Sequence, residues 1–442
     1  MLYFNMALMS RHHIWYPYAD MNQWDNTTTK IITRGRGFYL IDSKGRKYLD
    51  GVASMWCNVW GHGEKEIIRE MKKQIDSLQH SSLFSIANKP SIELSVELLK
   101  LSKGMEHIFY SDNGSTAVEV SMKMAIQYFK NKGRPEKRHF VSLKNGYHGD
   151  TIGAMSVGYV PRYFSAYRPL LTQVTRLTTP SLKLGEPVSE LDKILEETES
   201  CLKKVSSKTC AVVMESGAQI AGGIRIYPKG YQRGIAELCS KYGVLLILDE
   251  IATGFGRLGN MIEYLKQDSI PDIVCFGKAL TAGYTPLAVT LTNSEIFRSY
   301  LDTETKLYHG HTFCGHPIGC ATAIANLKLY RKRGLIRDIS LKSRYIRMRL
   351  HEFQNSAAVI NVRHKGMLAG IDISKRGIDA IRRKTHEPVD SFILKNALNS
   401  GVYLRPLGKT IVLIPPLAID RKNLEYLLSV IGLIIKKVEH LI

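Results

Sequence analysis

The stretch Val244-Leu-Leu-Ile-Leu-Asp-Glu250 decides the fold of this chain, because a run of apolar residues leads directly into a carboxylate. Such a run predicts a buried parallel strand that delivers Asp249 at its carboxyl end. A second apolar run, Ile273–Phe276, delivers Gly277 and Lys278 in the same way. Ligands of open α/β sheets bind at the carboxyl ends of strands. An acid and an amine delivered there together therefore indicate a cofactor site.

Two cofactor chemistries use such a pair. Lys278 can bind pyridoxal 5'-phosphate (PLP) covalently while Asp249 pairs with its protonated ring nitrogen. Alternatively, the strand can carry the magnesium-binding acid of a P-loop nucleotidase, which requires G-x-x-x-x-G-K-[ST] ahead of the strand. The only Gly-Lys-Thr is Gly408-Lys-Thr410, which lies after the strand and has Tyr403 where the first glycine is required. The nucleotidase interpretation therefore fails.

The order of predicted elements indicates an α/β fold with two domains. Strands and helices alternate from about residue 108 to 290, which predicts a mainly parallel sheet covered by helices on both faces. After the helix predicted to end at Phe353, short strands, a helix at 388–399, a hairpin at 403–415 and a closing helix indicate a smaller α+β domain. We expect residues 61–320 to form the large domain and 321–442 the small one, which residues 1–60 join.

Two further segments suit a phosphate and a flat ring. A short strand ends in Ser111-Asp-Asn-Gly-Ser-Thr116, and the capping-box form of Thr116-Ala-Val-Glu119 puts a helix start near Gly114 and Ser115. Free N–H groups at a helix start attract phosphate. In Asn145-Gly-Tyr-His-Gly-Asp150, the glycines let the backbone approach a flat ligand, to which Tyr147 offers an aromatic face.

Composition bounds the remaining classes of function. The 442 residues carry a formal net charge of +21, but the basic residues are spread along the chain without a nucleic-acid motif. We therefore expect a solvated basic surface and no nucleic-acid partner.

No apolar run reaches the length of about 18 residues that a membrane span needs. The apolar start at residues 1–9 lacks a basic segment, which predicts an N-terminal arm on a cytoplasmic protein. His309-Gly-His311 has no acid nearby to complete a metal site.

Taken together, four motifs resemble the class III aminotransferases, which are PLP enzymes of fold type I. They are Ser111-Asp-Asn-Gly-Ser-Thr-Ala-Val-Glu119, Asn145-Gly-Tyr-His-Gly149, Leu248-Asp-Glu-Ile-Ala-Thr-Gly-Phe-Gly-Arg257 and Phe276-Gly-Lys278. The resemblance covers nearly the whole chain and implies a homodimer with active sites at the subunit interface. It also implies that Lys278 carries PLP, Asp249 holds the ring nitrogen, Tyr147 stacks on the ring, Gly114 and Ser115 bind the phosphate, and Thr312 reaches the phosphate of the partner subunit.

Outer segments resemble the subfamily that converts 8-amino-7-oxononanoate to 7,8-diaminononanoate in biotin synthesis. They are His13-Ile-Trp-Tyr-Pro-Tyr18, Trp56, His309-Gly-His-Thr-Phe313 and Arg405-Pro-Leu-Gly408. The resemblance implies that Tyr18, Trp56 and Arg405 shape the substrate pocket, with Arg405 taking the carboxylate. S-adenosylmethionine is the expected amino donor. L-lysine stays open as an alternative donor, because Met55 stands where users of S-adenosylmethionine carry Trp. The rival substrates, for another class III aminotransferase, are ornithine, 4-aminobutyrate or a diamine.

Overall fold

The computed structural model describes residues 13–19, 21, 30–185 and 190–442, so the N-terminal arm predicted at residues 1–9 lies outside it. Its strands are β1 Ile32–Arg36, β2 Tyr39–Asp42, β3 Lys47–Asp50, β4 His107–Ser111, β5 His139–Leu143, β6 Val174–Leu177, β7 Thr209–Glu215, β8 Ala218–Gln219, β9 Arg225–Ile226, β10 Leu245–Asp249, β11 Ile273–Phe276, β12 Ala288–Thr292, β13 Val359–Lys365, β14 Leu368–Ile373, β15 Val402–Tyr403 and β16 Thr410–Leu413.

Helices surround these strands. Those longer than one turn are Lys65–Ser77, Lys89–Leu101, Gly114–Asn131, Ile152–Val157, Leu191–Val205, Tyr231–Lys241, Ser294–Arg298, Pro317–Arg333, Leu335–Gln354, Lys375–Thr385, Val389–Asn399 and Arg421–Leu441. Shorter helical segments lie at Ala53–Trp56, Pro161–Phe164 and Glu263–Lys266, and 3-10 segments lie at Ser165–Leu170, Lys278–Thr281 and Thr303–Thr305. Within the ranges described, no helix is both long and apolar enough to cross a membrane.

A seven-stranded sheet forms the centre of the molecule, in the order β4-β12-β11-β10-β7-β5-β6. Only β12 runs antiparallel to its two neighbours, so the prediction of a mainly parallel sheet in an α/β fold is confirmed. Strands β7, β10 and β11 are buried along their whole length, as their continuous apolar sequences require. The sequence patterns missed β6, because Val-Thr-Arg-Leu is short and shows neither a continuous apolar run nor a strict alternation.

The register of this sheet brings three strand ends together. On β10, Asp249 lies opposite Glu215 of β7 on one side and opposite Cys275 of β11 on the other. Lys278 follows β11 by two residues, in a 3-10 turn. The chain therefore places an acid and an amine at the carboxyl ends of the neighbouring strands β10 and β11, as the sequence predicted.

Among the described residues, three smaller sheets lie outside the central one, and β8 and β9 form the smallest of them. Strands β13, β14 and β16 form an antiparallel sheet, while β15 pairs with β3 in the sheet β1-β2-β3-β15. The predicted hairpin at 403–415 is wrong, because β15 and β16 belong to different sheets and only Leu407 and Thr410 bridge between them. The local turn pattern is present, but β3 and β14 compete successfully for the two strands. The helix Lys375–Thr385 was not predicted.

The proposed domain boundaries remain a prediction. The pairing of β3 with β15 joins the N-terminal hairpin to the C-terminal part of the chain, as we expected for residues 1–60. Residue 320, the proposed end of the large domain, lies inside the helix Pro317–Arg333. That helix packs against Lys65–Ser77 and Lys89–Leu101, which both belong to the proposed large domain.

Candidate active site

Lys278 and Asp249 form the centre of the candidate site. Lys278 is partly buried, and its φ of 43° is uncommon for a residue with a side chain. Burial lowers the pKa of its amine, while the charges of Asp249 and Glu215 oppose that change. The Asp249 carboxylate is buried, accepting a hydrogen bond from the backbone N–H of Ile251 at 2.9 Å. Such a lysine can act as a nucleophile or base near neutral pH.

His148 and Glu215 extend this centre, and no role was assigned to either from the sequence. The buried His148 Nδ1–H donates to Asp249 Oδ2 at 2.8 Å, which fixes the orientation of the carboxylate. Burial raises the pKa of Glu215 to about 7, with the nearby His148 acting to lower it. Glu215 accepts from the backbone N–H groups of Tyr147 and Ile220, so it anchors the loop that carries Tyr147. The sequence does carry a signal for each residue, because His148 lies inside the motif Asn145-Gly-Tyr-His-Gly149 and Glu215 ends a strand.

The start of the helix Gly114–Asn131 forms an anion cradle. Asn113 caps the helix by accepting from the N–H of Thr116, which leaves the N–H groups of Gly114 and Ser115 without an acceptor in the helix. A Cβ at Gly114 would lie 2.8 Å from the Ile251 side chain, so only glycine fits there. The helix start agrees with the prediction.

The capping box itself differs from the predicted one, because Asn113 and Thr116 form it rather than Thr116 and Glu119. Glu119 instead accepts from the backbone N–H groups of Gly153 and Ala154, at the start of the next helix. Beside it, Ser115 Oγ lies 2.7 Å from Thr151 Oγ1 and accepts from the Thr151 N–H. These bonds tie the cradle to the loop that carries Tyr147.

Tyr147 and Tyr18 share one carboxylate. Both hydroxyls donate to the exposed Asp150, Tyr147 at 3.1 Å and Tyr18 at 2.6 Å. Burial raises the pKa of Tyr147 to about 12, with the Asp150 charge as the second cause, and it raises that of Tyr18 as well. The Tyr147 ring also stacks on Phe164, with centroids 6.1 Å apart. Both hydroxyls therefore stay protonated at neutral pH and can donate hydrogen bonds.

Trp56 and Arg405 complete a pocket wall from opposite ends of the sequence. The Lys278 Nζ lies 5.4 Å from the centre of the buried Trp56 ring. The Arg405 guanidinium lies 5.7 Å from the centre of the Tyr18 ring and donates to the Met55 Sδ at 3.2 Å. The structure thus brings Tyr18, Trp56 and Arg405 to the same region as Lys278.

Thr312 lies in a surface loop. It is exposed, in the loop between Lys306 and the helix Pro317–Arg333. The neighbouring His311 Nε2 lies 4.0 Å from Asp112 Oδ1, and His309 Nδ1 lies 3.2 Å from Lys123 Nζ. Among the residues that the structure describes, no group of three metal-ligating side chains is assembled.

The residues present fit PLP. A buried carboxylate held by two donors suits a protonated ring nitrogen. The N–H groups of Gly114 and Ser115, which have no acceptor within the helix, suit a phosphate. Lys278 has the lowered amine pKa that covalent binding needs, and Tyr147 lies on the loop beside the cradle.

Comparison with known proteins agrees with this geometry. The family model described as aminotransferase class III matches residues 21–435. The chain belongs to this family. It is therefore a PLP-dependent transaminase of fold type I.

Relatives of this class III aminotransferase carry more specific names. The adenosylmethionine-8-amino-7-oxononanoate aminotransferase of Geobacter sulfurreducens is 37% identical over 434 residues, 95% of this chain and 94% of that protein. The crystal structure of the enzyme of that name from Methanocaldococcus jannaschii has a TM-score of 0.90 and 37% identity, covering 98% of this chain and 99% of that one. An omega transaminase from Pseudomonas jessenii, in complex with PMP, has a TM-score of 0.91 at 25% identity and covers 98% of each chain.

Proposed function

We propose that this transaminase transfers an amino group to 8-amino-7-oxononanoate, giving 7,8-diaminononanoate, with S-adenosylmethionine as donor. The observation that carries the proposal is the pocket wall of Tyr18, Trp56 and Arg405 beside Lys278. Relatives that align over nearly the full length bear the name of this reaction.

The chemistry divides between the cofactor and the chain. PLP, when bound, supplies the carbonyl that receives the amino group and an electron sink for the reacting carbon. Lys278 Nζ holds the cofactor and, once released as a neutral amine, takes the proton from the donor's α-carbon. Asp249, oriented by His148, keeps the ring nitrogen protonated, and Gly114 and Ser115 hold the phosphate through backbone N–H groups.

The substrate roles follow from charge and shape. The Arg405 guanidinium presents parallel N–H groups that match a carboxylate, and its contact with Met55 is a weak one that a carboxylate would displace. Trp56 supplies an apolar wall for an aliphatic chain, since its ring is buried and its centre lies 5.4 Å from the Lys278 Nζ. Tyr18 and Tyr147 offer hydroxyl donors, both of which are directed at Asp150 in this structure.

Comparing amino donors tests the proposal directly. Purified enzyme loaded with PLP should convert 8-amino-7-oxononanoate with S-adenosylmethionine and give no product with L-lysine. Product with L-lysine alone would reassign the donor, for which Met55 is the residue to examine. If ornithine, 4-aminobutyrate or a diamine were used and 8-amino-7-oxononanoate were not, the proposed substrate would be wrong.

We also propose that the enzyme works as a cytoplasmic homodimer in which Thr312 binds the phosphate of the partner subunit. The exposed position of Thr312 supports this, as do the exposed rings of Phe84, Tyr308 and Phe313 near the same loop. Mixing two inactive variants tests it. Lys278→Ala and Thr312→Glu chains, unfolded and refolded together, should regain activity, because one mixed site holds both native residues. Without recovery, Thr312 does not act across subunits.

A further inference from the structure

The turn at residues 53–56, which we term the pocket turn, has a strained backbone. Ala53, Ser54 and Trp56 have φ values of 49°, 60° and 66°, in the region that favours glycine. With its ψ of −69°, Ser54 adopts the form of γ-turn that is rare for a residue with a side chain. Such conformations persist only where the surrounding structure holds them, and they concentrate at functional sites.

Asp50 supplies the contacts that hold the pocket turn. It ends β3 and is fully buried. Its Oδ1 accepts from the Ser54 backbone N–H at 2.8 Å, and its Oδ2 accepts from the Ser54 hydroxyl at 2.9 Å. His62 Nε2 lies 3.2 Å from the same Oδ2. Both carboxylate oxygens are thus engaged with Ser54, whose backbone departs furthest from ordinary geometry.

The pocket turn determines where two pocket residues lie. It carries Trp56 against Lys278 and Met55 against Arg405. Asp50 is also fixed relative to Arg405, because it pairs in register with Tyr403 on the parallel strand β15, two residues before Arg405. The carboxyl ends of β3 and β15 therefore place both sides of the substrate wall, and Asp50 lies at their junction.

We propose that Asp50 is a positioning residue for the amino-group transfer, because it holds the pocket turn in the conformation that aims Trp56 and Met55 at the substrate. This inference rests on the proposed function, since it assigns the turn to the pocket for 8-amino-7-oxononanoate. Asp50 is fully buried, and its role is exerted through the turn.

Asp50→Asn is the first test, with the full-length enzyme loaded with PLP. Asparagine is nearly isosteric but accepts with one oxygen and loses the charge, so KM for 8-amino-7-oxononanoate should rise by about tenfold. Because Lys278 and Asp249 are untouched, kcat should change by less than about threefold. Ser54→Ala removes only the hydroxyl contact and should raise KM by a smaller factor, and it carries the test if the Asp50 variant does not fold.

Hydrogen exchange followed by mass spectrometry provides a readout that is independent of activity. The N–H groups of Trp56 and Cys57 bond to Val52 and Ala53 within the turn, at 2.9 and 3.1 Å. In Asp50→Asn, peptides covering these amides should exchange about tenfold faster, whereas the helix Arg421–Leu441 should not change. A uniform rise in exchange over the whole chain would mean that Asp50 supports only stability, which would overturn the proposal.

A glycine at position 54 provides the matched rescue. Glycine adopts positive φ without steric cost. The double variant Asp50→Asn with Ser54→Gly should therefore reverse a substantial part of the rise in KM. Additive losses in the double variant, or an unchanged KM and exchange rate in Asp50→Asn, would refute the positioning role. Should the wild-type enzyme not use 8-amino-7-oxononanoate at all, the proposed function fails, while exchange rates measured in Asp50→Asn and in the double variant still decide whether Asp50 holds the turn.

Discussion

Replacing His148 tests how the chain holds Asp249. His148→Leu removes the hydrogen bond of 2.8 Å to Asp249 Oδ2 and leaves the buried carboxylate with the N–H of Ile251 as its other donor. A hydrogen bond to a charged group contributes about 1.5–3 kcal/mol. If that energy is needed to keep the cofactor nitrogen protonated, kcat should fall by about 10- to 150-fold. KM should stay nearly constant, because the proposed substrate contacts of Arg405 and Trp56 are unchanged.

The half-reaction with amino donor gives the cleanest measurement. Decay of the visible absorbance of lysine-bound PLP after rapid mixing reports the step that depends on Asp249, free of the second substrate. His148→Asn is the matched control, because its amide can place a donor near the position of Nδ1, and it should retain most of the rate. If the Leu variant reacts within about twofold of wild type, or if the Asn variant is equally slow, the role assigned to the 2.8 Å bond is wrong.

Three other changes have defined outcomes. Arg405→Lys keeps the charge but loses the paired N–H groups, so KM for 8-amino-7-oxononanoate should rise by about tenfold at constant kcat, and an unchanged KM would remove Arg405 from the pocket. Gly149→Ala would place a Cβ 2.9 Å from the Ser115 Cα at a φ of 124°, so the apoenzyme should bind PLP at least about tenfold more weakly in fluorescence titration. Burial lowers the pKa of His364 from 6.5 to about 4. As pH falls below 6.5, the unfolded chain takes up a proton that the folded chain does not, so the free energy of unfolding decreases. Between pH 6.5 and 4, wild type should lose about 3 kcal/mol of unfolding free energy relative to His364→Gln, and parallel profiles from urea titrations would contradict this.

Local sequence patterns predicted the elements that carry the cofactor chemistry. The apolar runs before Asp249 and Gly277 predicted buried strands, which the structure has. The capping-box form of residues 116–119 predicted a helix start near Gly114, within one residue of the observed start, although other residues form the box. Patterns failed where pairing partners compete. The segment at 403–415 has the local form of a hairpin, yet each arm gains more contact from a strand that is remote in sequence.

The sequence by itself indicated the cofactor and the reaction class, and it predicted Lys278 and Asp249 as site residues, because strand ends deliver side chains to one edge of a parallel sheet wherever the helices pack. Only the tertiary structure decided which side chains surround that pair and hold it in place. His148 reaches Asp249 across 101 positions of sequence, and Arg405 reaches Met55 across 350. Such contacts depend on which strands become neighbours and on burial of the groups between them. No local period or spacing encodes either, and for that reason the positioning role proposed for Asp50 could be inferred only from the folded chain.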